Sequence, residues 1–163
     1  MSPFCDLISN KTNKNNVNIA IIDSELNKFT YAELYQSISE KVILIKQAEL
    51  KKGDLFILQI DKSFESLSYL LACIQLGVIY IPVEVNTPEK RLNSIINNSK
   101  ANAILKPDFS IKSLQQIEGY KQENALCVMY TSGTTGTPKG VVISKSGLKD
   151  FIDWSINEFS ITS

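Results

Sequence analysis

Apolar and polar positions along this chain switch between a short, strand-like period and a helical one. The switch points divide it into alternating elements. Residues 18–22 (Asn-Ile-Ala-Ile-Ile) predict a strand, 23–27 a polar turn, and 28–30 the short return strand. Thr30 and Glu33 have capping-box spacing, with the hydroxyl placed to accept from the Glu33 amide and the carboxylate to reach back. Leu34, Ile38, Val42 and Ile45 follow at steps of four, four and three, an apolar stripe that predicts a helix facing a core. Lys51-Lys52-Gly53-Asp54 ends it, and residues 55–60 predict a strand. A second helix is expected over 64–76, apolar along Leu67, Leu70, Leu71 and Ile74, with Gly77 as its left-handed stop.

The pattern then repeats. Residues 78–81 are strand-like, Thr87 is the expected cap of a helix whose first position is Pro88, and Leu92, Ile95 and Ile96 lie on one side of that helix. Residues 101–105 predict a strand, 110–117 a short helix, and 125–130 a buried strand. Residues 141–144 read as another short buried strand. Ser144 then caps a helix with Leu148, Phe151, Ile152 and Phe159 as apolar anchors. Strands and helices alternating at this interval predict an α/β layer fold with a mainly parallel sheet. Residues 1–16, polar and rich in Asn and Lys from Ser9 onward, form a lead-in, and 17–163 the folded unit.

Composition narrows what such a fold does. The 163 residues allow one domain of ordinary size, and 44% hydrophobic content supports a real core. Seventeen basic and seventeen acidic side chains cancel, and neither sign forms a block, so neither a nucleic-acid partner nor a membrane surface is expected. No run approaches the length of a membrane span and the start lacks signal-peptide order, which makes a cytoplasmic protein the expectation. Cys5, Cys73 and Cys127 are odd in number and lack C-x-x-C spacing; Cys73 and Cys127 lie in apolar runs and read as core thiols. Histidine is absent, which excludes a Ser-His-Asp or Cys-His hydrolase and leaves chemistry to positioning and electrostatics.

The strongest chemical signal is Tyr130-Thr131-Ser132-Gly133-Thr134-Thr135-Gly136-Thr137-Pro138-Lys139-Gly140, held between two apolar segments. Glycines let a backbone turn and bring N–H groups close to an anion, hydroxyls add neutral donors, and Lys139 adds a point charge. The commoner phosphate loop requires a Gly-Lys pair five residues after its first glycine, where this chain has Pro138. The spacing here is Gly133-x-x-Gly136-x-x-Lys139-Gly140, and the string resembles the signature of the adenylate-forming superfamily: amino-acid adenylation domains of nonribosomal peptide synthetases, D-alanine–carrier-protein ligases, acyl- and aryl-CoA ligases, and luciferases. Residues 29–34 resemble that superfamily's early T-Y-x-E-L motif, and residues 73–92, with Gly77, Tyr80-Ile81-Pro82 and Pro88-x-x-Arg91-Leu92, resemble its second core motif. For the latter, helix stop and helix start account for Gly77 and Pro88 without any ligand contact. Adenylation domains and D-alanine–carrier-protein ligases look most similar. Lys145 stands where many relatives carry histidine, which leaves substrate contacts there open.

The resemblance implies the fold of the large N-terminal domain of an adenylate-forming enzyme, and a ligase that uses ATP and Mg²⁺ to activate a small carboxylic acid, an amino acid by the nearest likeness, for a carrier-protein thiol. It assigns phosphate binding to Thr131, Ser132, Gly133, Thr134, Thr135, Gly136, Lys139 and Gly140, with Gly133, Gly136 and Gly140 supplying turns. It assigns no catalytic residue to this chain. Superfamily members run to about three times this length. Their adenine-contacting stretch, ribose-binding aspartate, hinge and C-terminal lysine do not occur among these residues. The expectation is an N-terminal fragment or split subunit that works with a complementing C-terminal chain. The alternative is a non-catalytic nucleotide- or partner-binding module derived from the same family. An exposed apolar face favours the first; a well-covered monomer favours the second.

Overall fold

The computed structural model describes residues 16–23, 25–114, 124–131 and 138–160. Strands β1 (Ile19–Ile22) and β2 (Lys28–Thr30) form the expected antiparallel hairpin. Asp23 closes its turn by accepting from the amides of Glu25 and Asn27 at 2.9 Å. Helix α1 (Tyr31–Gln47) opens on the predicted capping box, with Thr30 Oγ1 accepting from the Glu33 amide at 3.2 Å and Glu33 Oε2 accepting from the Thr30 amide at 2.7 Å. Leu34, Ile38 and Ile45 are buried beneath it.

The remaining strands are β3 (Leu55–Ile60), β4 (Ile79–Glu84), β5 (Ala103–Leu105), β6 (Ile111–Ser113), β7 (Ala125–Thr131) and β8 (Lys139–Ser144). They form one sheet in the order β6-β5-β3-β4-β7-β8. The four central strands are parallel, and the two edges, β6 and β8, are antiparallel to their neighbours. The mainly parallel α/β sheet expected from the sequence is therefore present. Helix α2 (Phe64–Leu76) joins β3 to β4, α3 (Glu89–Ser99) joins β4 to β5, and α4 (Lys145–Glu158) follows β8.

Both faces of the parallel strands are covered, as such sheets require. On one face α1 and α2 bring Ile38, Ile45, Tyr69 and Cys73 against Phe56, Leu58, Tyr80 and Leu105. On the other, Leu92 and Ile95 of α3 pack on Ile57, Ile79, Ile81 and Ile104. As a central strand β7 contributes to both cores, Leu126 and Cys127 to the first and Ala125 and Val128 to the second, with a bulge between Ala125 and Cys127 breaking the strict alternation. Cys73 and Cys127 are buried free thiols, as expected, and burial raises both above the usual thiol range. Cys5 lies outside the described residues.

Four local expectations fail. In α2 the buried positions are Ser66, Ser68, Tyr69, Ala72, Cys73 and Ile74, while Leu67, Leu70 and Leu71 are half-buried. Small residues of α2 take the closest approach to α1 and the sheet, and the leucines pack at the margin of that core. Thr87 does not cap α3: its amide donates to the Glu84 carbonyl at 2.9 Å in a turn. Pro88 is itself the cap, in an extended conformation, and its carbonyl accepts from Arg91 and Leu92. The helix expected over 110–117 is instead β6, returned onto β5 by a hairpin with Phe109 at φ 61°. Asp108 braces that turn by accepting from the Ser110 amide and hydroxyl; residues 115–117 lie outside the described residues. Finally, β8 and α4 contain no fully buried residue: Ile143 and the anchor Leu148 are half-buried against the core, while Val141, Val142, Phe151 and Phe159 are exposed. Ser144 nonetheless caps α4 as expected, accepting from the Gly147 amide at 3.0 Å.

Candidate functional site

Strands β3, β4 and β7 run parallel and so end at one edge of the sheet. The chain leaves β3 through α2 on one face and β4 through α3 on the other. Two neighbouring parallel strands whose connections diverge in this way leave a crevice at their carboxyl ends, the usual ligand position in open α/β sheets. A cleft of about 720 Å³ occupies that place. Ile60, Asp61 and Lys62 line it beyond β3, residues 82–88 line it from β4 and the following turn, and Arg91, Ile95, Met129 and Tyr130 complete it. The motif read as helix stop and helix start therefore also forms a wall of the cleft. Its helix stop is as predicted, with Gly77 in the left-handed region at φ 70°.

Asp61 is fixed at the start of α2. Its carboxylate accepts from the Ser66 hydroxyl at 2.7 Å and the Ser63 amide at 3.0 Å, while Ser63 Oγ caps the helix at Ser66. The hydroxyls of Ser63 and Ser66 hold its pKa below the ordinary value of 3.8. It is anionic at neutral pH.

The loop singled out in the sequence leaves the sheet at this same edge. Thr131 ends β7 and pairs across the ladder with Lys139, which begins β8; Tyr130 pairs with Gly140. Thr131 and Lys139 are both exposed. The structure thus brings together three of the eight predicted phosphate contacts, Thr131, Lys139 and Gly140, at the stem. Ser132, Gly133, Thr134, Thr135 and Gly136 lie outside the described residues.

Gly140 serves a different purpose from the one expected. It does not have a left-handed φ and makes no turn. A Cβ at this position would stand 2.8 Å from Val128 Cγ1 and 3.1 Å from Tyr130 Cζ, so glycine is required by the neighbouring side chains on β7.

Sequence reasoning missed the supports beneath the stem. Arg91 Nη2 donates to the Tyr130 carbonyl at 3.3 Å, and Tyr130 Oη donates to Asn98 Oδ1 at 2.6 Å. Arg91 stood in a recognised motif, but nothing local says that α3 runs under β7. Its position directly after a parallel strand was the available signal, since such turns face ligands.

A polyphosphate suits this geometry. An ammonium and a hydroxyl stand opposite one another at an exposed edge, where they can supply charge and a neutral donor to phosphate oxygens. Among the described residues no three His, Cys, Asp or Glu side chains gather as a metal site. No helix among the described residues is long and apolar enough to cross a membrane.

A D-alanine–D-alanyl carrier protein ligase of Bacillus licheniformis is 33% identical over 168 residues, covering 89% of this chain and 33% of the relative. Vanchrobactin synthetase VabF of Vibrio anguillarum is 26% identical over 179 residues, covering 97% of this chain and 6% of the relative. The chain thus spans a third or less of these curated relatives. Among solved structures, ATP-bound MatB from Rhodopseudomonas palustris superposes with a TM-score of 0.75 at 20% identity, over 96% of this chain and 37% of that one. McyG A-PCP complexed with phenylalanyl-adenylate gives 0.75 at 20% identity, over 98% of this chain and 31% of that one. The shared architecture is that of the N-terminal domains of adenylate-forming enzymes. The family model described as "AMP-binding enzyme" matches residues 9–124 and 107–160, and the chain belongs to that family of acyl- and amino-acid-adenylating enzymes.

Proposed function

We propose that residues 17–163 supply the phosphate-holding part of an ATP-dependent ligase. That ligase activates a carboxylic acid, an amino acid in the first instance, as its acyl-adenylate and passes the acyl group to a carrier-protein thiol. The observation that carries this reading is the Thr131–Lys139 cross-strand pair, set at the carboxyl edge of a parallel sheet beside the cleft. In this chemistry a carboxylate oxygen attacks the α-phosphorus of ATP and the bond to pyrophosphate breaks; the thiol later displaces AMP. Lys139 and the hydroxyls and amides from Thr131 to Thr135 hold the leaving pyrophosphate and offset its growing charge. Mg²⁺ arriving with ATP would supply further positive charge to the phosphates that Lys139 and the loop donors hold.

The exposed apolar side chains of the β7–β8 hairpin and the α4 region favour a part that packs against further polypeptide over a stand-alone binding module. Met129, Val141, Phe151, Trp154 and Phe159 are between 45% and 66% exposed, and well-covered monomers rarely leave so many together. The complementing polypeptide and the carrier protein belong to this proposal, as does the cytoplasmic setting. The test is calorimetric titration with ATP. Replacing Thr131 and Lys139 together by alanine should weaken binding at least roughly tenfold, about 1.4 kcal/mol, while Cys73→Ala leaves it unchanged. Equal affinity in the double variant would overturn the loop assignment. This chain by itself should not exchange labelled pyrophosphate into ATP; exchange would show that no further polypeptide is needed.

A further inference from the structure

We propose that α3 clamps Tyr130 at both ends, through Arg91 at its carbonyl and Asn98 at its hydroxyl, and that this clamp sets the loop stem in position before any nucleotide arrives. The inference rests on the phosphate-holding role of the loop. Its geometry stands independently of that role. Arg91 lies in the first turn of α3 and Asn98 in its last, seven residues later. Residues seven apart share a helix face and are separated by about 10.5 Å along the axis at 1.5 Å per residue.

The two bonds, 3.3 Å at the carbonyl and 2.6 Å at the hydroxyl, therefore lay Tyr130 lengthwise along the helix. Gly140 closes the third side. Its missing side chain lets the β8 backbone approach the ring so closely that a Cβ would sit 3.1 Å from Cζ. Tyr130 immediately precedes Thr131, and Gly140 immediately follows Lys139. Both roots of the loop are thus referred to one rigid helix, whose own anchors Leu92 and Ile95 are buried in the sheet core. A binding loop whose roots are fixed loses less entropy when its ligand binds, so the clamp acts on affinity without touching phosphate. Burial of the Tyr130 phenol raises its pKa, which keeps it a donor across the physiological range.

Two readouts separate positioning from plain stability and from charge. In nucleotide-free protein, amide hydrogen exchange at Thr131 and at residues 139–141 should rise roughly tenfold in Arg91→Met and severalfold in Tyr130→Phe and Asn98→Leu, a local opening that leaves β3 unchanged. Asn98→Asp keeps an acceptor for the phenol and should behave as the parent protein. Titration with inorganic pyrophosphate should show affinity falling in the same order, including in Tyr130→Phe, which alters no charge. A uniform rise in exchange across the sheet would reduce these contacts to ordinary packing and overturn the proposal. So would unchanged exchange at the stem in both Arg91→Met and Tyr130→Phe. If the parent protein binds no pyrophosphate, it is the loop's phosphate role that fails. The exchange pattern then decides the clamp by itself.

Discussion

Strands β3 and β8 are both six residues long and lie in the same sheet, yet five residues of β3 are buried and none of β8 is. The helices that follow them differ in the same way: α2 buries six residues and α4 none. Apolar content is higher in β3 and α2 and accounts for part of the contrast, but large apolar side chains also stand uncovered at α4. The α4 region carries Phe151, Trp154, Ile156 and Phe159, with Phe151 and Trp154 centroids 5.9 Å apart and Trp154 and Phe159 5.8 Å apart. The rest of the difference is one of cover. β3 is central, with a parallel neighbour on each side and a helix layer on each face, whereas β8 is an edge strand touched on one side by β7. An apolar stripe states that a face is to be covered; the covering surface has to be sought elsewhere in the fold.

The largest test of this contrast is a pair of truncations. Phe56→Ala removes a fully buried ring and should cost about 3–5 kcal/mol in urea unfolding. Val142→Ala on the exposed edge should cost under about 1 kcal/mol. A comparable loss at both positions would mean that β8 is as well packed as β3. Next in size is Gly140→Ala, where the added methyl meets Val128 and Tyr130 on a hairpin that is otherwise exposed. Overpacking of this kind costs about 1–3 kcal/mol. The loss should appear as faster exchange in β7 and β8 with β3 protected, which would make Gly140 the one tightly packed point of the open region.

What the sequence made legible follows from range. The Thr30–Glu33 capping box, the Gly77 stop and the Ser144 cap each involve residues within four positions, and all three form as expected. β6 was misread because a turn with a left-handed Phe109 returns the chain onto β5, a pairing that local periodicity does not contain. The exposure of β8 was likewise illegible, since burial depends on sheet order. At the site, composition marked Thr131 and Lys139, and the structure sets them opposite each other. The contacts of Arg91 and Asn98 with Tyr130 exist because α3 packs beneath β7, which no spacing in the sequence states.

A smaller effect is expected on the aromatic cluster of α4. Replacing Phe151 and Trp154 together by serine should change stability by no more than about 0.5 kcal/mol, because both side chains are more than half exposed. It should also lower binding of a hydrophobic dye and any concentration-dependent association. A loss of stability approaching that of Phe56→Ala would show that the cluster already belongs to the core, and the contrast between α2 and α4 would disappear.

The smallest effect is on acid stability, and it divides the same two regions. Glu33 at the start of α1 accepts from the Thr30 amide and hydroxyl, and those bonds hold its pKa below the ordinary 4.5. Asp61, at the entry to α2, is held below 3.8 by Ser63 and Ser66. Helix α4 has no acidic residue in its first turn and is capped by a hydroxyl alone. A carboxylate whose folded pKa is lowered stabilises the fold above its unfolded value, and that contribution is lost as pH falls through the folded value. The urea midpoint should therefore hold steady from neutrality to about pH 5 and decline below about pH 4, where the unfolded chain takes up protons that the folded state resists. Glu33→Gln and Asp61→Asn should each start lower at neutral pH and decline less steeply. Ser144→Ala should lower the whole profile without changing its slope, because a hydroxyl cap does not titrate. Equal slopes in all three variants would remove the two N-terminal carboxylates as the source of acid sensitivity and leave the α1–α2 side of the sheet no more pH-dependent than α4.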